Sequence, residues 1–198
     1  LSALDAKLRE ALRTELKNIQ MNLGQTFLFV THDQIEAMSM GDKIGVLNHG
    51  NLVQTGTPSE IYNNPKNTFV ARAVGSPPMN LVHGKLVSGR AVLDAVEQEL
   101  PYAGKLGATV GDGRDVTFGI RPEDIVVDSG APIAARVHDV ENHGVEKILT
   151  LRVADTTLHA TVSAQTKLAI DEDVRFSWNP EKVVVFDKAT GKSLQHAA

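Results

Sequence analysis

The sequence predicts two halves of different fold class: an α/β half over residues 1–75 and an all-β half over residues 81–198, joined by a linker at 76–80. Three observations carry that division. Residues 8–36 pass from helical periodicity to a short apolar run and back, as interleaved helices and strands do. Ser76-Pro77-Pro78 then stops any helix and holds the chain extended. Beyond it, short β-type runs recur between glycine, proline and aspartate, the pattern of an antiparallel barrel or sandwich.

Leu8, Leu12, Leu16, Ile19 and Leu23 recur at spacings of three and four, which predicts a helix with one apolar face. Gly24 follows as its C-cap. Residues 26–31 are a continuous apolar run of strand formers, predicted as a strand covered on both faces. Asp33 caps the next helix, with Glu36 three residues on to complete a capping box. Residues 43–48 and 51–55 read as paired strands about a His49-Gly50 turn. Thr57-Pro58-Ser59-Glu60 supplies a cap, an N1 proline and an N3 glutamate for a third helix. A short fourth helix is predicted over 67–74, stopping at Gly75. In the second half the predicted strands are 81–87, 116–120, 133–140, 147–153, 158–162, 174–178 and 182–186. Glu141-Asn142-His143-Gly144 reads as a hairpin turn with the glycine at positive φ.

Composition narrows the function classes. The net charge of −4 gives no bulk attraction to nucleic acid or to an anionic membrane. An OB-like barrel raises oligonucleotide binding as a rival, but such modules need aromatic stacking platforms in a basic groove. Aromatics are 5% of this chain and Trp178 is its one tryptophan, so no nucleic-acid partner is expected. No apolar run approaches the roughly 20 residues of a membrane span, and a membrane role is therefore peripheral. Cysteine is absent, which excludes disulfides and thiolate metal sites and fits a reducing cytoplasm. His49, His83, His138, His143, His159 and His196 show no ligand spacing, and no metal site is expected.

His32 is the candidate catalytic residue. It stands where an apolar run gives way to a capped helix, the carboxyl edge at which open α/β sheets collect phosphate ligands. A histidine there can also do no more than hydrogen-bond locally and support the cap. Ser2 and Asp5 likewise fit a plain S-x-x-D capping box.

Ser2-Ala3-Leu4-Asp5 resembles the D-loop of ATP-binding cassette transporter ATPases, and Thr31-His32-Asp33 resembles their H-loop. Residues 45–58 are similar to the strand pair and proline-capped helix that follow there. Gly75-Ser76-Pro77-Pro78-Met79-Asn80, Gly119-Ile120-Arg121-Pro122-Glu123-Asp124 and Trp178-Asn179-Pro180-Glu181 resemble the C-terminal extension of bacterial sugar-importer ATPases, including those for maltose and glycerol 3-phosphate. The resemblance covers essentially the whole chain. It implies that residues 1–75 are the C-terminal portion of a P-loop ATPase domain and 81–198 an OB-like regulatory (TOBE) domain. It also implies a γ-phosphate contact for His32 and a contact across an ATP-sandwich dimer for Ser2 and Asp5. ATP and magnesium would be the parent's cofactors. A second copy, transmembrane permease subunits and a phosphotransferase-system regulator would be its partners, at the inner face of the cell membrane. Arg121 and Glu123 either tie two strands together or form the surface that binds a regulator or the dimer mate.

The departures from that pattern bear on activity. A phosphate-cradling loop has the form GxxxxGK[ST]. Gly191-Lys192-Ser193 is the one similar fragment, and Phe186 stands where its first glycine belongs. Gly111-Asp112-Gly113 lacks the third glycine of a dinucleotide fingerprint, that place being Val116. Val183-Val184-Val185-Phe186-Asp187 imitates a Walker B strand but is followed by Lys188 instead of glutamate. No LSGGQ-like signature is present. The chain is therefore expected to be a truncated piece beginning after the Walker B glutamate, and inactive alone. Residues 26–31 would then be a central strand lacking upstream neighbours, partly mobile or sealed by self-association. Two alternatives are a regulatory and dimerisation module that binds a protein or effector, and an importer ATPase for polyamines, metals or oxyanions.

Overall fold

The structure is a computed structural model and describes residues 6–96, 98–102 and 113–195. The chain divides into two compact units, Leu1–Asn63 and Asn64–Ala198.

The first unit is helical with one hairpin. Helix α1 (Ala6–Leu23) ends where expected: Gly24 takes φ 60° and its N–H donates to the Gln20 carbonyl at 3.1 Å. Lys17 Nζ of α1 donates to Met40 O at 3.1 Å and Asp42 Oδ1 at 2.9 Å, tying α1 to the end of α2 (Gln34–Met40). Strands β1 (Ile44–Asn48) and β2 (Asn51–Gly56) pair antiparallel. His49 and Gly50 between them both have positive φ, 47° and 78°. That is the two-residue turn whose twist matches the strands it joins. Helix α3 (Pro58–Asn63) begins on the expected capping box, with Thr57 N–H donating to Glu60 Oε2 at 2.7 Å and Glu60 N–H to Thr57 Oγ1 at 3.3 Å.

The strand expected at 26–31 is not formed. Those residues run between α1 and α2 with no ladder partner among the described residues, and the one sheet of this unit is the β1–β2 hairpin. Leu28 is 94% exposed and Val30 80%. An apolar run is a strand only when neighbours satisfy its backbone groups and cover its faces, and no described segment does either here.

Among its described residues, the second unit holds helix α4 (Thr68–Ala73) and ten strands. Asn67 caps α4 by accepting from Val70 N–H at 2.9 Å. Ala71 is buried in one cluster with Met79, Val184 and Phe186, so α4 goes with the β half, ahead of the linker read in the sequence. The linker itself is a turn over 75–78 with a cis Ser76–Pro77 peptide, where an extended segment was expected.

The strands are β3 (Asn80–Val87), β4 (Arg90–Leu93), β5 (Glu99–Pro101), β6 (Arg114–Ile120), β7 (Ile125–Val127), β8 (Ile133–Asn142), β9 (Glu146–Val153), β10 (Thr156–Ser163), β11 (Asp173–Trp178) and β12 (Val184–Asp187). They form two five-stranded antiparallel sheets, ordered β12-β6-β3-β4-β5 and β10-β9-β8-β11-β7. The seven expected strands are all present, and β4, β5 and β7 are additional. Each of those three has only three or four residues, too few for alternation to register as a period.

Both sheets feed one core. Strand β8 alternates strictly at its start, with Ile133, Ala135 and Val137 buried and Ala134, Arg136 and His138 exposed. Phe118 of one sheet meets Trp178 of the other, ring centroids 5.7 Å apart and planes at 48°. Burying side chains of this size contributes roughly 1.5–3 kcal/mol each. The Trp178 indole N–H donates to Pro101 O at 2.8 Å, so its polar end is satisfied inside the core. Gly84 permits the closest approach of β3 and β4, since a Cβ there would lie 2.3 Å from the Val92 carbonyl oxygen.

Candidate functional site

The turn that carries His32 is organised by hydroxyl and carboxylate groups. Asp33 has extended backbone and caps α2, its Oδ1 accepting from Ile35 N–H at 2.8 Å and Glu36 N–H at 3.2 Å. In a simple capping box Glu36 would reach back to the Asp33 N–H. Here Thr31 stands between them. The Asp33 N–H donates to Thr31 Oγ1 at 3.0 Å, and Thr31 Oγ1 donates to Glu36 Oε2 at 2.6 Å. Glu36 is only 4% exposed, so this hydroxyl supplies a partner for a buried carboxylate. The residues either side of His32 are thus held by the cap while the imidazole stays exposed. The relay through Thr31 was not read from the sequence, though a hydroxyl residue two places before an Asp cap is a visible cue.

Ser2 and Asp5 lie outside the described residues. Among the described residues no group of histidines and carboxylates is arranged to hold a metal. The donors that ATP and magnesium demand, a phosphate-cradling backbone loop with its lysine and hydroxyl, have no counterpart in this sequence. His32 alone does not make a site for the nucleotide.

Arg121 and Glu123 diverge in environment. Arg121 is 3% exposed, and its Nη1 donates to the carbonyls of Val74, at 2.5 Å, and Ala71, at 3.4 Å. These are C-terminal carbonyls of α4, which have no acceptor role within the helix. Arg121 therefore anchors α4 to the barrel from inside. Glu123, two residues on in the turn Pro122–Asp124, is exposed. Burial and then the neighbouring Glu123 raise the Asp124 carboxyl above its ordinary range, against the pull of Lys182 and Arg121.

The strand that imitates Walker B closes a turn. Asp187 Oδ1 accepts from Thr190 N–H at 2.8 Å and Thr190 Oγ1 at 2.7 Å, while Oδ2 accepts from Arg114 at 2.6 Å. These bonds, Thr190's first, hold its carboxyl down at about 2. Trp178 is 3% exposed and offers no face for base stacking.

Two domain families match this unit: the MalK OB fold domain over residues 75–125 and the TOBE domain over 118–186. Over the whole chain, the trehalose/maltose import ATP-binding protein MalK of Thermococcus litoralis is 41% identical, covering 98% of this chain and 55% of that protein. The chain is a homologue of sugar-importer ATP-binding subunits. The sn-glycerol-3-phosphate import ATP-binding protein UgpC of a Jannaschia species is 42% identical, with 98% and 54% covered. The xylose/arabinose import ATP-binding protein XacK of Haloferax volcanii is 40% identical, with 99% and 53% covered. The chain thus spans about half the length of these relatives. Among solved structures, the cytoplasmic molybdate-binding protein ModG overlaps 54% of this chain at 14% identity and a TM-score of 0.47, a likeness too slight to bear on ligand or mechanism. No helix among the described residues is long and apolar enough to cross a membrane.

Proposed function

We propose that this chain acts within a longer ATP-hydrolysing subunit of an importer for sugars or sugar phosphates. In that subunit residues 1–63 close an ATPase domain, and 64–198, which include α4, serve as its regulatory extension. The observation that carries the reading is the match to import ATP-binding proteins across 98% of the chain, with His32 exposed on a turn whose other residues are bound into a cap. His32 donates a hydrogen bond to the nucleotide's terminal phosphate, and Ser2 and Asp5 couple two copies across a nucleotide-bound dimer. ATP binding between the copies favours the closed dimer, and that difference in affinity drives the attached permease subunits between states. Phosphoryl transfer depends on positioning and charge stabilisation by a lysine, magnesium and a water-orienting carboxylate. This chain carries none of that set, so the purified 198 residues bind no ATP at micromolar concentration and turn none over. Glu123, exposed beside the buried Arg121, lies on the regulatory face.

The test is His32→Ala in the assembled importer ATPase that contains this sequence. Turnover falls by about 100-fold or more, the scale of losing one preorganised donor to a reacting oxyanion, while ATP affinity changes little. Undiminished turnover in that variant leaves His32 a capping-turn residue and nothing more.

A second reading, a self-standing regulatory module, is favoured by the continuous core that residues 64–198 build for themselves. A stable dimer of the purified chain by sedimentation supports it.

A further inference from the structure

The outward face of the sheet β10-β9-β8-β11-β7 carries a cluster of arginines that the import reading does not use. The register sets Arg136 of β8 opposite Arg152 of β9 on one side and opposite Asp173 of β11 on the other. Arg175 stands one step along, opposite Ala134. These side chains line an open groove of about 480 Å³, with the small Ala134 leaving its floor clear.

Like charges directly opposite on one sheet face repel. Asp173 answers one of them, its Oδ1 accepting from Arg136 Nε at 3.0 Å. Arg152 Nη2 lies 3.2 Å from His138 Nδ1, an imidazole in place of a carboxylate. Arg175 is anchored through Nε to Ala131 O and through Nη2 to Pro132 O, the second at 2.6 Å, which holds its guanidinium at the groove's rim. Three guanidiniums therefore face one lining carboxylate, with Asp171 a further acid near Arg136.

We propose that this groove binds a small phosphate-type oxyanion, inorganic phosphate or a phosphomonoester, bridged between Arg136 and Arg152 with Arg175 at its edge. The planar guanidinium fork matches two oxygens of such an anion at once, which a lysine cannot do. Wide anionic surfaces such as membranes and nucleic acids respond to the field of the whole protein, and this chain carries a net −4. A local cation cluster on an acidic protein selects a small anion instead. The groove lies wholly within residues 64–198 and stands or falls apart from the ATPase reading.

The experiment is a titration of the 15N-labelled chain with inorganic phosphate, and separately with methyl phosphate, at constant ionic strength set by sodium chloride. Saturable amide shifts confined to residues 134–136, 152 and 173–175 are expected, with a Kd of about 1 mM or tighter. Arg152→Gln weakens binding about tenfold, the loss of one charge-assisted contact. Asp173→Asn, which removes the competing carboxylate, tightens it. Absence of saturation, an affinity unchanged in Arg152→Gln, or weaker binding in Asp173→Asn overturns the proposal. So does binding seen only on vesicles of phosphatidylglycerol and phosphatidylcholine.

Discussion

The Asn80 side chain pairs with the backbone of His159 as a neighbouring strand would. Its Nδ2 donates to His159 O at 2.8 Å and its Oδ1 accepts from His159 N–H at 2.7 Å. The same Nδ2 also donates to Ile120 O at 3.2 Å. Asn80 opens β3 in one sheet, and His159 lies on β10, an edge strand of the other. One amide thus extends a ladder across the gap between sheets and blunts an open edge. Asn80→Ala leaves backbone groups at His159 and Ile120 without these partners. A loss of about 2–3 kcal/mol is expected from denaturant unfolding. Amide exchange at His159 should accelerate more than at Leu151 in the core. A neutral result means that water replaces the amide at no cost.

Arg121 and Glu123 separate in the same kind of measurement. Arg121→Met keeps much of the side chain's bulk but strips the donors from the Ala71 and Val74 carbonyls. It should cost about 2–3 kcal/mol and expose α4 to proteolysis. Glu123→Gln, on the exposed side of the turn, should stay within about 0.5 kcal/mol of the parent. If Glu123 serves a regulatory contact, only its variant alters partner binding without altering stability.

The Asp187 turn predicts a pH signature. Its carboxyl is held at about 2 in the folded chain against an ordinary value of 3.8. The stabilisation it supplies is therefore complete above the unfolded value and disappears as pH falls through the folded one. The difference in unfolding midpoint between the parent and Asp187→Asn should be constant above about pH 5 and shrink steadily towards pH 2. A gap independent of pH would assign the effect to hydrogen-bond geometry and not to charge.

Residues 27–30 expose Phe27, Leu28, Phe29 and Val30 in succession. Consecutive large apolar side chains in water favour association. Replacing Leu28 and Val30 with serine should lower the sedimentation-average mass of the concentrated chain towards the monomer. Unchanged mass would place any self-association elsewhere.

These cases show where sequence patterns were sufficient. Caps and turns were legible because they are local: Gly24, Asp33, Thr57 and the His49-Gly50 turn each act within four residues. The long strands of the second unit were legible through alternation, as at Ile133, Ala135 and Val137. Residues 26–31 misled because an apolar run reports hydrophobicity, whereas a strand also requires a partner. Arg121 was open to two roles, and its bond to α4 joins positions far apart in sequence, as does the Asn80–His159 pairing. The identity of His32 as a candidate rested on its neighbours' motif, while the hydroxyl relay that holds its turn became visible only with Thr31 and Glu36 in place.

Strand β12 returns to pair with β6 after five intervening strands have built the other sheet. The chain just beyond it meets the start of the unit, Thr68 N–H donating to Gly191 O at 2.9 Å and Ser193 N–H to Lys66 O at 2.8 Å. Beginning and end are thereby sewn together. Until Val184–Asp187 pair with it, β6 has no strand along the edge from Val116 to Gly119. A chain stopped short of Val184 would leave that β6 edge open for a chaperone to guard.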